Sequence, residues 1–192
     1  SIREHLGADL DYQDRLVRFL ENHDEPRAAA TFGTERERAA AVAVATLPGA
    51  TLWHEGQFDG RRVRPPVFLT RRPVEEPDPE LRAFYLRLVA TDLRAGRWER
   101  RDVAGWPDNQ TAEHLLAWSW TEGSRRSLTV VNWSGASAQG RIAMTGEPLG
   151  GRSWAFTDVL MGTRYDRHGD DLAANGLYVD LPRWGAHLFR IS

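Results

Sequence analysis

The residues best suited to chemistry follow a short apolar run, LVRFL, at residues 16–20. They are Asn22, His23 and Asp24, and a Pro-Arg pair ends the segment at Arg27. A carboxylate accepts hydrogen bonds from hydroxyl groups, an imidazole donates or accepts one, and a guanidinium only donates. This set suits a polyhydroxyl ligand, and a fixed carboxylate stabilises the oxocarbenium-like transition state of glycosyl transfer. The alternative is an ordinary capped turn or ion pair at the end of a strand.

Two helices are predicted in the first half of the sequence. TERERAAAVAVATLPG predicts a helix that begins at Thr34, where Glu37 completes a capping box, and stops at the Pro-Gly pair 48–49. DPELRAFYLRLVATDLRAG predicts a second helix, with Asp78 as its N-cap and Gly96 after its last turn. A short strand is predicted before each helix. This alternation is typical of parallel strands joined by crossover helices.

Polar residues also follow the second predicted strand, ATLWHEGQF, at residues 50–58. The carboxyl ends of parallel strands meet at one edge of a sheet, where barrel enzymes place their chemistry. We therefore expect Glu55, Gly56 and Gln57 to lie near residues 22–24.

From about residue 98 the hydrophobic pattern has a period of two. Short segments separated by Gly, Ser, Asn and Pro predict an antiparallel β-sandwich in residues 98–192, after a first domain of residues 1–97. The segments are HLLAWSWTE, SLTVVNWS, GRIAMTG, RSWAFTDVL, GLYVDLP and GAHLFRIS. Trp118 and Trp120 share one face of a strand and are predicted to lie in the core rather than to form a sugar-binding platform.

The composition excludes several classes of function. The 192 residues include no cysteine, which excludes disulfides, thiolate zinc sites and thiol nucleophiles. A formal charge of −2 argues against general electrostatic binding to nucleic acid or an anionic membrane. No apolar run approaches the roughly 20 residues that span a bilayer. His54 and Glu55 point to opposite faces of a strand and are not expected to share a metal ion, so no metal and no cofactor is predicted.

Two segments, FLENHDEPRAAATFG and LPGATLWHEGQ, resemble the end of the catalytic barrel of the α-amylase family of glycoside hydrolases. The form NHDxPR followed by FG is most similar to the α-glucosidase-like and trehalose-synthase-like branches. In this family NHD ends the seventh barrel strand, GxPxxYYGxE ends the eighth, and an antiparallel sandwich follows the eighth helix. The resemblance implies the last two β-α units of a (β/α)₈ TIM barrel in residues 1–97, then the β-sandwich. Thr51, Glu55 and Phe58 depart from the eighth-strand motif.

The resemblance also implies a role for each residue of the first segment. Asp24 matches the carboxylate that binds sugar hydroxyls and stabilises the transition state without attacking. His23 matches the imidazole that contacts the same sugar. Arg27 is expected to reach a substrate hydroxyl or to pair with a carboxylate. Asn22 is a further substrate-binding candidate, and its main expected task is to shape the end of the strand.

The family's nucleophilic aspartate and acid/base glutamate both precede the NHD element. Neither motif occurs in SIREHLGADLDYQDRLVRF. We therefore expect this chain to be the C-terminal part of a retaining hydrolase or transglycosylase of α-glucosidic bonds in malto-oligosaccharides or related α-glucosides. It would be inactive by itself, with the remainder of the barrel upstream. The rival hypothesis is a non-catalytic carbohydrate-binding or structural module in which the sandwich is the working part.

Overall fold

The computed structural model describes residues 2–66, 68, 71–146 and 148–192. In chain order the elements up to residue 91 are α1 (Ile2–Leu6), α2 (Leu10–Asp14), β1 (Val17–Arg18), α3 (Ala28–Thr31), α4 (Thr34–Thr46), β2 (Ala50–Thr51) and α5 (Pro79–Val89). The remaining elements are β3 (Arg97–Arg101), β4 (Val103–Ala104), a 3₁₀ turn (Thr111–His114), β5 (Leu115–Glu122), β6 (Arg125–Asn132), β7 (Ala138–Ile142), β8 (Ser153–Asp158), β9 (Arg164–His168), α6 (Gly169–Asn175), β10 (Leu177–Leu181) and β11 (Ala186–Ile191).

The chain forms two compact units. One is Asp9–Thr91, and the other joins the residues up to Ala8 with Asp92–Ser192. The domain boundary placed after Arg97 from the sequence stays a prediction. None of the described helices is long and apolar enough to cross a membrane.

A short parallel strand pair organises the unit of residues 9–91. β1 pairs with β2 in parallel, with Val17 opposite Ala50 and Arg18 opposite Thr51. The predicted parallel direction is therefore confirmed, but both strands are much shorter than the sequence predicts. The assignment of these elements to a (β/α)₈ barrel stays a prediction.

Helix α4 begins at Thr34, one position earlier than a capping role for that residue requires. Gly33, with φ of +71°, is the capping residue, and no side chain caps the helix. The predicted capping box is therefore wrong. Glu37 is instead buried, at 1% exposure, together with most of the alanine and valine side chains that follow it.

Helix α5 begins as predicted and ends early. Asp78 accepts hydrogen bonds from the backbone N–H groups of Glu80 and Leu81, and Pro79 occupies the first turn. The helix ends at Val89 rather than near Gly96, and Thr91 Oγ1 donates to the carbonyl of Leu88 (2.7 Å) just after the last turn. The buried stripe of the helix is Leu81, Phe84, Tyr85 and Leu88.

The second unit contains two antiparallel sheets. The larger has the strand order β3-β5-β6-β11-β8-β9, and the smaller has the order β10-β7-β4. All six segments predicted from the period of two form strands, namely β5, β6, β7, β8, β10 and β11. The prediction did not include β3, β4 and β9.

Side chains from both sheets share one hydrophobic core, so the two sheets form a sandwich. Large members of this core include Leu115, Leu128, Ile142, Trp154, Phe156 and Phe189. Trp118 is fully buried, which confirms the predicted core position, and Trp120 is half-buried. The indole N–H of Trp154 donates to the carbonyl of Leu149 (2.8 Å), so this buried polar group is satisfied.

Candidate functional site

The chain segments that contain the two predicted polar clusters meet in the structure, through Arg27 and His54. Because β1 and β2 are parallel, the chain leaves both strands at the same end of the pair. Contact between the segments is direct, since Nη1 of Arg27 lies 2.6 Å from Nδ1 of His54. The candidate site is therefore the edge formed by residues 21–27 and 54–57.

Residues 22–24 form an exposed turn at this edge. Oδ1 of Asn22 accepts hydrogen bonds from the backbone N–H groups of Asp24 (2.8 Å) and Glu25 (2.9 Å), so this side chain holds a turn in the segment that follows β1. Nε2 of His23 lies 3.3 Å from Oδ2 of Asp24, and both side chains are more than two-thirds exposed, at 73% and 71%. Nε of Arg64 donates to the carbonyl of His23 (3.2 Å). Asp24 and His23 are thus accessible to a ligand.

Arg27 is buried and pairs with a carboxylate. Its Nη1 lies 2.8 Å from Oε1 of Glu21, and the two side chains are only 3% and 1% exposed. Oε2 of Glu21 accepts from the backbone N–H of Ala28 (2.5 Å), at the start of α3. Of the two roles considered for Arg27, the structure shows the ion pair, and its contact with a substrate stays a prediction. Glu21 belongs to the site although the sequence predicts no role for it.

Arg27 also reaches the segment that follows β2. Its Nη2 donates to the carbonyl of Glu55 (2.9 Å), in addition to the contact of Nη1 with His54. Gly56 has φ of +83°, and a Cβ there would lie 2.5 Å from Nη2 of Arg27 and closer still to Cδ of Arg61. Only glycine accommodates both the backbone angle and this close approach.

A second buried network adjoins the site at Gln57 and continues to Tyr85 and Glu37. Nε2 of Gln57 donates to the hydroxyl oxygen of Tyr85 (3.0 Å), and that hydroxyl donates to Oε1 of Glu37 (2.9 Å). Burial is the largest cause that raises the pKa of the Glu37 carboxyl, from 4.5 to about 7, and the hydrogen bond from Tyr85 acts in the opposite direction. Burial, followed by the nearby charge of Glu37, also raises the pKa of Tyr85. Glu37 is therefore partly protonated near neutral pH.

Aromatic packing explains one departure from the eighth-strand motif, Phe58. Phe58 stacks on Tyr85, with ring centroids 4.6 Å apart, and Trp53 meets both rings edge-on at 5.7 and 5.6 Å. Phe58 thus extends an apolar cluster where the motif has an acid. Thr51 ends β2, and its hydroxyl donates to the carbonyl of Val44 (3.2 Å).

The exposed residues of the NHD motif, Asp24 and His23, offer a carboxylate and an imidazole to a ligand. A retaining glycosidase needs a nucleophile and an acid/base whose carboxyl groups lie about 5 Å apart. Asp24 alone cannot supply both of these groups. Among the described residues, no group of three or more His, Asp or Glu side chains could hold a metal ion.

Comparison with known proteins gives one sequence relative and many similar folds. No protein-family model matches the chain. The α-amylase MalA of Haloarcula japonica is 50% identical over 46 residues, which are 24% of this chain and 7% of that protein. Among solved structures, the maltogenic α-amylase AmyB of Thermotoga neapolitana superposes with a TM-score of 0.70 at 17% identity, over 91% of this chain and 40% of AmyB. The debranching enzyme of Nostoc punctiforme has a TM-score of 0.65 at 18% identity, over 98% of this chain and 36% of that enzyme.

The chain has the fold of a part of these α-amylase-family enzymes. The resemblance predicted from NHD and the downstream glycine motif is thereby confirmed. The chain spans 40% and 36% of the two solved α-amylase-family enzymes. Activity, substrate and catalytic residues of the whole protein are therefore a matter of proposal.

Proposed function

We propose that this chain is the C-terminal part of an α-amylase-type retaining glycoside hydrolase or transglycosylase that acts on α-glucosidic bonds. In this proposal residues 9–91 contribute the last two β-α units of a (β/α)₈ barrel, and Asp24 stabilises the transition state. The nucleophile and the general acid/base lie outside residues 1–192. The observation that carries the proposal is the exposed His23-Asp24 pair in the segment that follows β1, a strand that runs parallel to β2.

Two further findings support an α-glucoside as the substrate. One solved neighbour is a debranching enzyme soaked with acarbose, and another is the MutB enzyme in complex with sucrose. Asp24 and His23 supply an acceptor and an imidazole, the groups that suit vicinal sugar hydroxyls. In this chain Asp24 binds the sugar that carries the developing oxocarbenium charge, and His23 contacts the same ring.

The test is a substitution in the polypeptide that carries the preceding barrel strands. We expect Asp24→Asn to reduce kcat for 4-nitrophenyl α-glucoside by at least about 100-fold, because the carboxylate charge is needed in the transition state. Glu25→Gln changes a neighbouring exposed carboxylate and serves as the matched control. Equal activity of the Asp24 variant and the wild type would overturn the proposal. The 192-residue chain alone is expected to be inactive, and hydrolysis by it would refute the placement of the other two carboxyl groups.

A second candidate function has a specific observation in its favour. Trp106, in the turn that follows β4, and Tyr178, on β10, lie 6.3 Å apart with their rings tilted by 35°, and Tyr178 is 42% exposed. Exposed aromatic rings can stack on sugars, so this pair suits a non-catalytic carbohydrate-binding surface. Binding of maltoheptaose that Tyr178→Ala abolishes and Asp24→Asn preserves would favour this function. Loss of binding in the Asp24 variant alone would reject it.

A further inference from the structure

His54 occupies a position that sequence reasoning left without a function. Its Nδ1 lies 2.6 Å from Nη1 of Arg27 and 3.4 Å from Oε1 of Glu21. Arg27 and Glu21 are buried, whereas the side chain of His54 is 28% exposed. The imidazole therefore has one edge on a buried ion pair and part of its surface in solvent.

The contact with Arg27 determines which ring nitrogen carries the proton. A guanidinium has five N–H donors and no acceptor. At 2.6 Å from Nη1, Nδ1 of His54 must therefore accept, and it can do so only without a proton of its own. A neutral imidazole with a bare Nδ1 carries its proton on Nε2. His54 is thus a hydrogen-bond donor at the edge of the ring opposite the ion pair.

The ion pair is well anchored, and this anchoring fixes the imidazole. Glu21 accepts from the backbone of Ala28 with its second oxygen, and Arg27 donates from its second Nη to the carbonyl of Glu55. Gly56 leaves room for the guanidinium where any side chain would collide with it. The pair is thus tied to both segments of the site, and neither partner can shift without breaking a buried contact.

We propose that the Glu21–Arg27 pair is a positioning device that holds His54 as a neutral Nε2–H donor, and that His54 donates this hydrogen bond to a substrate hydroxyl. This inference rests on the proposed function, because it places the substrate at the edge that carries Asp24. Asp24 accepts from the sugar, and His54 donates to it. A site that offers both an acceptor and a donor recognises a hydroxyl group, because a hydroxyl group both donates and accepts a hydrogen bond. His54 is therefore a specificity-determining residue.

The proton position is measurable in the 192-residue chain without any substrate. Long-range ¹H–¹⁵N NMR spectra of the imidazoles distinguish the two neutral tautomers and the protonated ring. We expect His54 to carry its proton on Nε2 only. Arg27→Gln is expected to give a mixture of forms, while Arg87→Gln, which changes an exposed arginine of α5, leaves the signal unchanged. A wild-type His54 that is protonated on Nδ1 would overturn the inference whatever the variants do.

The contact with substrate is tested in the catalytically complete polypeptide with maltose. We expect His54→Phe to lower kcat/KM about three- to tenfold, the range of one neutral hydrogen bond, mainly through KM. His54→Gln should recover much of this loss, because its amide nitrogen can replace Nε2 as a donor. A purely structural role would give equal losses for both variants and would overturn the inference.

The outcomes separate this inference from the function on which it rests. If Asp24→Asn abolishes activity and His54→Phe has no effect, the sugar contact of His54 is wrong and the proposed function stands. If Asp24→Asn leaves activity unchanged, the proposed function itself is wrong. In that case the assigned sugar contact falls with it, and the tautomer measurement still decides whether the ion pair positions the imidazole.

Discussion

Replacement of Glu37 by glutamine tests the buried network that adjoins the site. The carboxyl of Glu37 is 1% exposed, and Tyr85 is its hydrogen-bond donor. Among the described residues, no hydrogen-bond partner is found for its Oε2. Ionisation of this group in the folded state therefore costs free energy that the unfolded chain, in water, does not incur. Glutamine keeps the shape and the acceptor oxygen but never ionises.

The pH dependence of the free energy of unfolding follows from the raised pKa of Glu37. Glu37 titrates near pH 7 in the folded protein and near 4.5 in the unfolded chain. Between these values the folded state holds a proton that the unfolded state has released, so the free energy of unfolding falls as the pH rises. One pKa unit corresponds to 1.36 kcal/mol, and after allowance for solvent screening we expect a loss of about 2–3 kcal/mol. This stabilising contribution is complete below pH 4.5 and lost above pH 7.

The assay must report on the unit of residues 9–91, because two compact units can unfold separately. Trp53 is the one tryptophan in this unit, and its ring lies edge-on to Tyr85 at 5.6 Å. Urea unfolding followed by the indole N–H signal of Trp53 gives the free energy at each pH. We expect Glu37→Gln to gain about 2–3 kcal/mol relative to the wild type between pH 5 and pH 8.

A matched control excludes a general effect of charge at the start of α4. Glu35 lies in the same helical turn and is exposed, so Glu35→Gln should leave the pH dependence of the wild type unchanged. The positive end of the helix dipole favours an ionised carboxylate, and it opposes the effect of burial. If wild type and Glu37→Gln lose stability in parallel from pH 5 to pH 8, burial does not control this carboxyl, and the reasoning is refuted.

Three further substitutions test the rest of the structure by urea unfolding. Arg27→Leu leaves the carboxylate of Glu21 buried and unpaired, so we expect a loss of about 3–5 kcal/mol, and a loss below 1 kcal/mol would contradict the burial of the pair. Asp78→Ala removes the N-cap of α5 and should cost about 1 kcal/mol, whereas no loss would mean that the cap is not formed in solution. Trp118→Ala should cost about 3–5 kcal/mol, and a cost near zero would place this ring at the surface.

Local patterns predicted those elements whose stability is decided by near neighbours in the chain. The strands of the sandwich show alternation because one face of each is buried, and the N-cap of α5 depends on residues two and three positions away. β3 and β9 lack this signal. Their sequences, RWERR and RYDRH, are mostly charged, as is common at the edges of a sheet, and both strands are edges here.

The misread capping box shows why a local motif is not sufficient. Thr34 and Glu37 have the spacing of that motif, and both residues do lie in the first turn of α4. The Glu37 side chain turns instead to Tyr85, which is 48 residues away in the sequence. The buried hydroxyl of Tyr85 needs a hydrogen-bond partner, and Glu37 supplies it. This contact outweighs a side-chain cap at the start of α4, because Gly33 can occupy the capping position and water can bind the free backbone N–H groups.

The sequence located the exposed part of the candidate site but not the part that holds it in place. Asp24 and His23 are recognisable because their motif is contiguous, whereas the Glu21–Arg27–His54 contact joins residues from two strand ends and becomes visible only in three dimensions. A buried ion pair is weak evidence for stability, because well-packed apolar residues of similar volume often serve as well. Its value here is directional: a guanidinium presents donors at fixed angles, and an apolar side chain could not determine which nitrogen of His54 is protonated. The free-energy cost of burying these two charges is therefore explained by their effect on the partly exposed imidazole of His54. For this reason Arg27→Gln is more informative when the tautomer of His54 is measured than when stability alone is measured.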